Sequence, residues 1–128
     1  MNRFLLVLVG GGLGSVLRYA TTLAAVRFIS PTFPFGTLIV NLAGCFLIGF
    51  VHGLATLTAR ISPETRLFLT TGVMGGMTTY SSFNYESLFM LEQGQTALAV
   101  VYFVAMLVGC AVAGLLGTYG ARALVATG

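Results

Sequence analysis

Leu67-Phe68-Leu69-Thr70-Thr71-Gly72-Val73-Met74-Gly75-Gly76-Met77-Thr78-Thr79-Tyr80-Ser81-Ser82-Phe83, continuing through Glu86 to Leu91, is apolar enough at both ends to cross a bilayer and is interrupted in its middle. A backbone at membrane depth must satisfy its own N–H and C=O groups. A glycine pair followed by hydroxyl residues is therefore tolerated only where protein or a water-filled path covers it. The stretch predicts a transmembrane helix broken over residues 75–79, serving an ion or solute.

The rest of the chain agrees with a membrane setting. Of 128 residues, 57% are hydrophobic and only 7% charged, too few to give a soluble domain of this size a polar surface. Apolar runs predict four helices, at about 4–28, 35–57, 64–91 and 96–125. Ser30-Pro31-Thr32-Phe33-Pro34, Arg60-Ile61-Ser62-Pro63-Glu64 and Glu92-Gln93-Gly94-Gln95 separate them. Ser62 before Pro63 reads as an N-cap with proline in the first turn of the third helix. No separator is long enough for another domain, so residues 1–128 form one membrane domain. Met1-Asn2-Arg3 ahead of an apolar run also fits a signal peptide. A retained span is preferred, because Arg18 and Tyr19 interrupt the run without a turn before any cleavage site.

Six arginines and no lysine give a net charge of +3. They are scattered, unlike a nucleic-acid-binding stripe. Cys45 and Cys110 lie inside apolar runs, without metal-ligand spacing or a disulfide framework. With an even number of spans, both termini and the loop from Ala59 to Thr65 share one face (side A), and the other two loops lie on side B. Arg3, Arg60, Arg66 and Arg122 fall on side A, whereas Arg27 and Arg18 lie toward side B. This bias is modest, so the charge pattern permits insertion in either direction.

A rise of ~1.5 Å per residue through a ~30 Å core assigns rough depths. The Gly75-Gly76 pair falls ~15 Å from side A, near the midplane, while Asn41 lies ~9 Å from side B with Tyr102 level with it. Arg18 and Tyr80 reach the same level from the other end, Ser81, Ser82 and Phe83 follow, and Glu86 is nearest side B. The amide of Asn41 and the serine hydroxyls are donors, Arg18 is a fixed positive charge, and the edges of Phe83 and Tyr80 carry the positive part of the ring quadrupole. Such a layer suits a small anion. Each member alone has a plainer reading: an interhelical hydrogen bond for Asn41 and the serines, packing for the rings, and snorkelling for Arg18 and Glu86. Carbonyls freed by the break suit a hard cation such as Na⁺, and a two-fold axis through the break doubles their number.

Gly11-Gly12-Leu13-Gly14-Ser15-Val16-Leu17-Arg18-Tyr19, Gly36-Thr37-Leu38-Ile39-Val40-Asn41-Leu42-Ala43-Gly44 and Thr71 through Phe83 together resemble the Fluc (CrcB) family of small fluoride channels. The resemblance spans nearly the whole chain. It implies an antiparallel, dual-topology homodimer in the plasma (inner) membrane, with two fluoride pores and a central Na⁺, passively exporting cytoplasmic fluoride and so conferring fluoride resistance; it implies no enzyme. By position it assigns the pore asparagine to Asn41, two pore phenylalanines to Tyr80 and Phe83, and a polar track to Ser81, Ser82 and Glu86. Backbone carbonyls of Gly75 and Thr78 from both subunits are implied sodium ligands. Tyr102 matches a fourth-helix tyrosine of some members, Cys110 stands where a hydroxyl residue is usual, and Arg18 matches an arginine near the aqueous mouth. Tyr80 in place of phenylalanine and Cys110 in place of a hydroxyl are departures. The alternatives are a proton-coupled small multidrug exporter, which wants a carboxylate deep in the first helix that this chain lacks, and a non-transporting assembly subunit.

Overall fold

The computed structural model describes residues 2–58 and 60–127; Ala59 of the predicted second loop and the terminal Met1 and Gly128 lie outside the described residues. Every regular element among the described residues is helical. Helix α1 runs Arg3–Phe28, capped by Asn2, whose Oδ1 accepts from the Phe4 N–H at 3.1 Å. It stays helical through Gly10-Gly11-Gly12 because a membrane segment has no water to satisfy an opened backbone. The Pro31 and Pro34 loop separates it from α2, Phe35–Leu57, since proline cannot extend the helix pattern.

The third span is assembled from pieces. Ser62 caps α3, Pro63–Leu67, by accepting from the Thr65 N–H at 3.1 Å, as its position before proline predicts. From Phe68 to Met74 the turns widen to π geometry, with the Gly75 N–H reaching the Thr70 carbonyl. Gly75–Met77 form a short α4, the chain opens at Thr78 and Thr79, and α5 covers Tyr80–Glu92. A left-handed turn at Gly94, φ 73°, leads into α6, Thr96–Ala126. Helices α1, α2 and α6 are each long and apolar enough to cross a membrane. With the segmented span they make a multi-pass membrane protein, and Phe4, Leu8 and Val16 on α1 turn broadly exposed faces outward, as lipid contact requires.

The predicted break over 75–79 is narrower than expected, and its glycines do a different job. Gly75 keeps helical angles, φ −61° and ψ −37°, while Thr78 and Thr79 adopt extended backbone, φ −79°, ψ 154° and φ −155°, ψ 119°. Gly76 is needed for contact: a Cβ there would strike the Gly11 carbonyl, and one at Gly10 would lie 2.9 Å from the Gly72 Cα. Small residues let α1 and the third span touch backbone to backbone, where dispersion contacts replace the hydrophobic drive that lipid removes. α2 and α6 close in the same way: a Cβ at Gly53 would stand 2.8 Å from the Ala121 Cβ, and one at Gly117 would meet the Phe46 carbonyl. The buried cluster of Phe83, Met90, Ala99, Tyr102 and Met106, with Phe33, Leu38 and Cys110 against it, lies where α5 meets α6 and α2.

Candidate functional site

Asn41 is buried and holds the break open. Its Oδ1 accepts from the Thr79 N–H at 2.8 Å and its Nδ2 donates to the Thr79 carbonyl at 3.1 Å, so one side-chain amide replaces the helical partners that Thr79 has lost. The remaining Nδ2 hydrogen faces the Met106 sulfur at 3.5 Å, a weak acceptor that a better one can replace.

Thr79 is also the N-cap of α5, its Oγ1 accepting from the Ser82 N–H at 3.2 Å. The same hydroxyl lies 3.1 Å from Ser81 Oγ and 3.2 Å from Ser82 Oγ. Three hydroxyl hydrogens serve two internal contacts, which leaves at least one for another acceptor. The first-turn amides of Tyr80 and Ser81 have no carbonyl four residues back within α5, and the positive end of that helix points at the break.

Nearer side B, Glu86 accepts from Thr37 Oγ1 and from Tyr102 OH, each at 2.7 Å. Tyr102 is fully buried, with its ring edge-on to Phe83 (5.2 Å, 66°) and Phe33 (5.3 Å, 79°). Tyr80 stands 5.7 Å from Phe83 at 65° and is 72% exposed in the single chain. The layer predicted from depth is thus two tiers: Asn41 joins Thr79 and Met106, while Tyr102, expected level with Asn41, joins Glu86 and Thr37 a turn closer to side B.

Each tier borders a groove. One of about 350 Å³ is bounded by Asn41, Thr78, Thr79, Tyr80, Phe83 and Cys110, among others. The second, of about 260 Å³, opens among the residues of the first loop and includes Thr37 and Glu86. The Phe83 and Tyr102 rings stand between the carboxylate and the break. Arg18 borders neither groove; it sits on α1 one turn from Thr22, whose Oγ1 donates to the Arg18 carbonyl at 3.0 Å. Cys110 does border the inner groove, its sulfur 3.8 Å from that of Met106.

Thr79, Thr37 and Met106 were not singled out from the sequence. Thr37 was within reach, because it precedes Asn41 by one helical turn and shares its face. Thr79 carried an N-cap signal, a threonine three residues before Ser82, hidden by the glycine pair upstream. Met106 had no signal distinguishing it from packing.

The model of the family described as CrcB-like protein, Camphor Resistance (CrcB), matches residues 5–118. A relative from Anaeromyxobacter sp. (strain K), named Fluoride-specific ion channel FluC, is 50% identical over 118 residues, covering 92% of this chain and 94% of its own. Proteins of the same name from Rhizobium meliloti (strain 1021), 50% identical over 105 residues (82% and 84% of the two chains), and Sorangium cellulosum (strain So ce56), 41% identical over 126 residues (98% and 99%), are similar throughout. Matched over most of its length and at this identity, the chain belongs to the CrcB family.

Proposed function

We propose that the protein is a fluoride-selective channel of the plasma membrane, a passive path and not an enzyme, through which cytoplasmic fluoride leaves. The observation that carries this reading is the donor lining beside the break. The loosely committed Asn41 amide hydrogen, the first-turn residue Tyr80 with its unpartnered amide, and the Phe83 ring border one groove, and the spare serine hydroxyl hydrogen lies one hydrogen bond away from it through Thr79. Fluoride, small and strongly hydrated, gives up water only where short hydrogen bonds replace it, and hydroxyl and amide donors supply them. The path then passes the Phe83 and Tyr102 rings to the groove at side B. Glu86, fixed by two hydroxyls, stands along it and keeps Tyr102 and Thr37 in place. The name carried by the relatives, Fluoride-specific ion channel FluC, supports the same assignment. Proteoliposomes loaded with fluoride and made permeable to potassium test it: they should empty of fluoride and retain chloride.

The working unit is an antiparallel homodimer of dual topology with Na⁺ at its axis. Support comes from the carbonyls at the break. The Thr79 N–H that a continuous helix would offer the Gly75 carbonyl goes to Asn41, and the Ser82 N–H due to Thr78 goes to Thr79 Oγ1. Gly75 lies on the outer face of the chain. Two hard oxygen acceptors thus lack their helical donors at membrane depth, which fits a hard cation shared with a second copy. Na⁺ there would neutralise the carbonyl ends of the two α4 segments and keep both breaks in register. The exposed Tyr80 ring would then be covered by the partner.

A small multidrug exporter is less well supported. Glu86 is the only carboxylate bordering either groove, and two hydroxyls already hold it.

A further inference from the structure

The seam between α2 and α6 carries sulfur that the fluoride path does not require. Cys45 and Cys110 both border the inner groove and the shallower one beside it that runs along Gly49 and Gly114. The Met106 thioether borders the inner groove with them. A Cβ at Gly114 would stand 3.7 Å from the Cys45 carbonyl, a measure of how closely the two helices approach here. The Met106 thioether, one turn before Cys110, lies 3.8 Å from the Cys110 sulfur. Both cysteines are free thiols.

We propose that Cys45, Cys110 and Met106 form a three-coordinate site for a soft monovalent d¹⁰ cation, Cu(I) or Ag(I), beside the anion path. Among the described residues no three His, Cys, Asp or Glu side chains cluster, so the third ligand is a thioether; a soft all-sulfur set excludes calcium, and a thioether in a set of only three ligands favours Cu(I) or Ag(I) over zinc, which takes four. The spacing fits. Metal–sulfur bonds of about 2.3 Å in a trigonal plane put the sulfurs about 4.0 Å apart, close to the 3.8 Å between Cys110 and Met106. Binding replaces two S–H bonds by two metal–thiolate bonds, with the protons leaving to water and no change in oxidation state. Two thiolates and one monovalent cation leave a local charge of −1 where the empty site is neutral. Asn41 and Phe83 border the same groove, so the occupied site both narrows the path and repels an anion. This second consequence rests on reading the groove as the fluoride path.

Titration of the detergent-solubilised protein with Cu(I), anaerobically and against bicinchoninate as competing chelator, reads the site without fluoride. One Cu(I) per chain and a thiolate-to-copper ultraviolet band are expected. Cys45→Ala should abolish the competition, and Met106→Leu should weaken it by at least about tenfold. Size-exclusion elution of each variant at the native volume establishes that it is folded. In chloride-free proteoliposomes, Ag⁺ should slow fluoride efflux by native protein at least tenfold and leave efflux by Cys45→Ala unaffected. No competition by the native chain, equal competition by folded Cys45→Ala, or undiminished efflux from silver-loaded native protein overturns the proposal. Because copper is read without transport, a failed metal site and a failed fluoride channel give different results.

Discussion

Replacing Asn41 by aspartate changes one group in the inner tier and separates its two roles. The retained Oδ1 can still accept the Thr79 N–H, now bonded at 2.8 Å, but the second oxygen faces the Thr79 carbonyl at about the 3.1 Å where Nδ2 donated. Losing that donor leaves a buried carbonyl unpaired, a cost of about 1–3 kcal/mol. The effect on an anion is larger. A carboxylate ~4 Å from fluoride, at an effective dielectric of ~20, repels it by about 4 kcal/mol, close to three powers of ten in occupancy. Conduction should therefore fail before folding does. The assay is potassium-ionophore-driven efflux from proteoliposomes, followed with a fluoride electrode, alongside size-exclusion chromatography of the same preparation. We expect a dimer-sized, monodisperse variant with efflux reduced about a thousandfold. Native-rate efflux from Asn41→Asp would refute Asn41 as a donor to the anion and leave it only as the clasp on Thr79.

Four other outcomes follow from the geometry. Tyr102→Phe keeps the ring contacts with Phe33 and Phe83 but deletes the 2.7 Å bond to Glu86, so denaturant titration in mixed micelles should register a loss of about 1.5–3 kcal/mol, as for a hydrogen bond to a charged group. Gly76→Ala drives a methyl into the Gly11 carbonyl and should destabilise by about 1–3 kcal/mol, while Gly12→Ala, with open space around its Cβ, should leave the monomer fold unchanged in the same titration. Gly94→Ala forces a side chain to φ 73° and should cost about 1 kcal/mol, read as a lowered thermal midpoint. Replacing Na⁺ by a large organic cation during reconstitution should abolish fluoride efflux and restore it on readdition; unchanged efflux at vanishing Na⁺ would count against the shared carbonyl site.

Four spans and their loops were legible because membrane helices announce themselves by length and apolarity, and Ser62-Pro63 marked a start that the Thr65 N–H bond bears out. The break was legible in kind but not in position. Glycine reads equally as a hinge and as a contact residue, and only the packing of Gly76 on Gly11 decides between them. The π turns from Phe68 to Met74 carried no sequence mark; they include Gly72, where the third span meets Gly10 backbone to backbone. For the site, depth arithmetic put Asn41 and Phe83 beside one groove, whereas Ser81 and Ser82 do not line it and connect to it only through Thr79 Oγ1. It placed Tyr102 one tier off, because a straight-helix rise ignores tilt and the direction of a long side chain. Asn41 clasping Thr79 was not foreseeable, as it depends on the extended backbone at Thr79 that turns both its peptide groups toward α2.

The central claim is that donors gathered at a helix break pass fluoride and reject the larger halide. Paired efflux from one proteoliposome preparation, loaded with equal fluoride and chloride and opened by a potassium ionophore, tests it most directly. The account predicts rapid loss of fluoride with chloride retained to the level of protein-free vesicles. Equal release of both ions, or release of neither by folded protein, would contradict it.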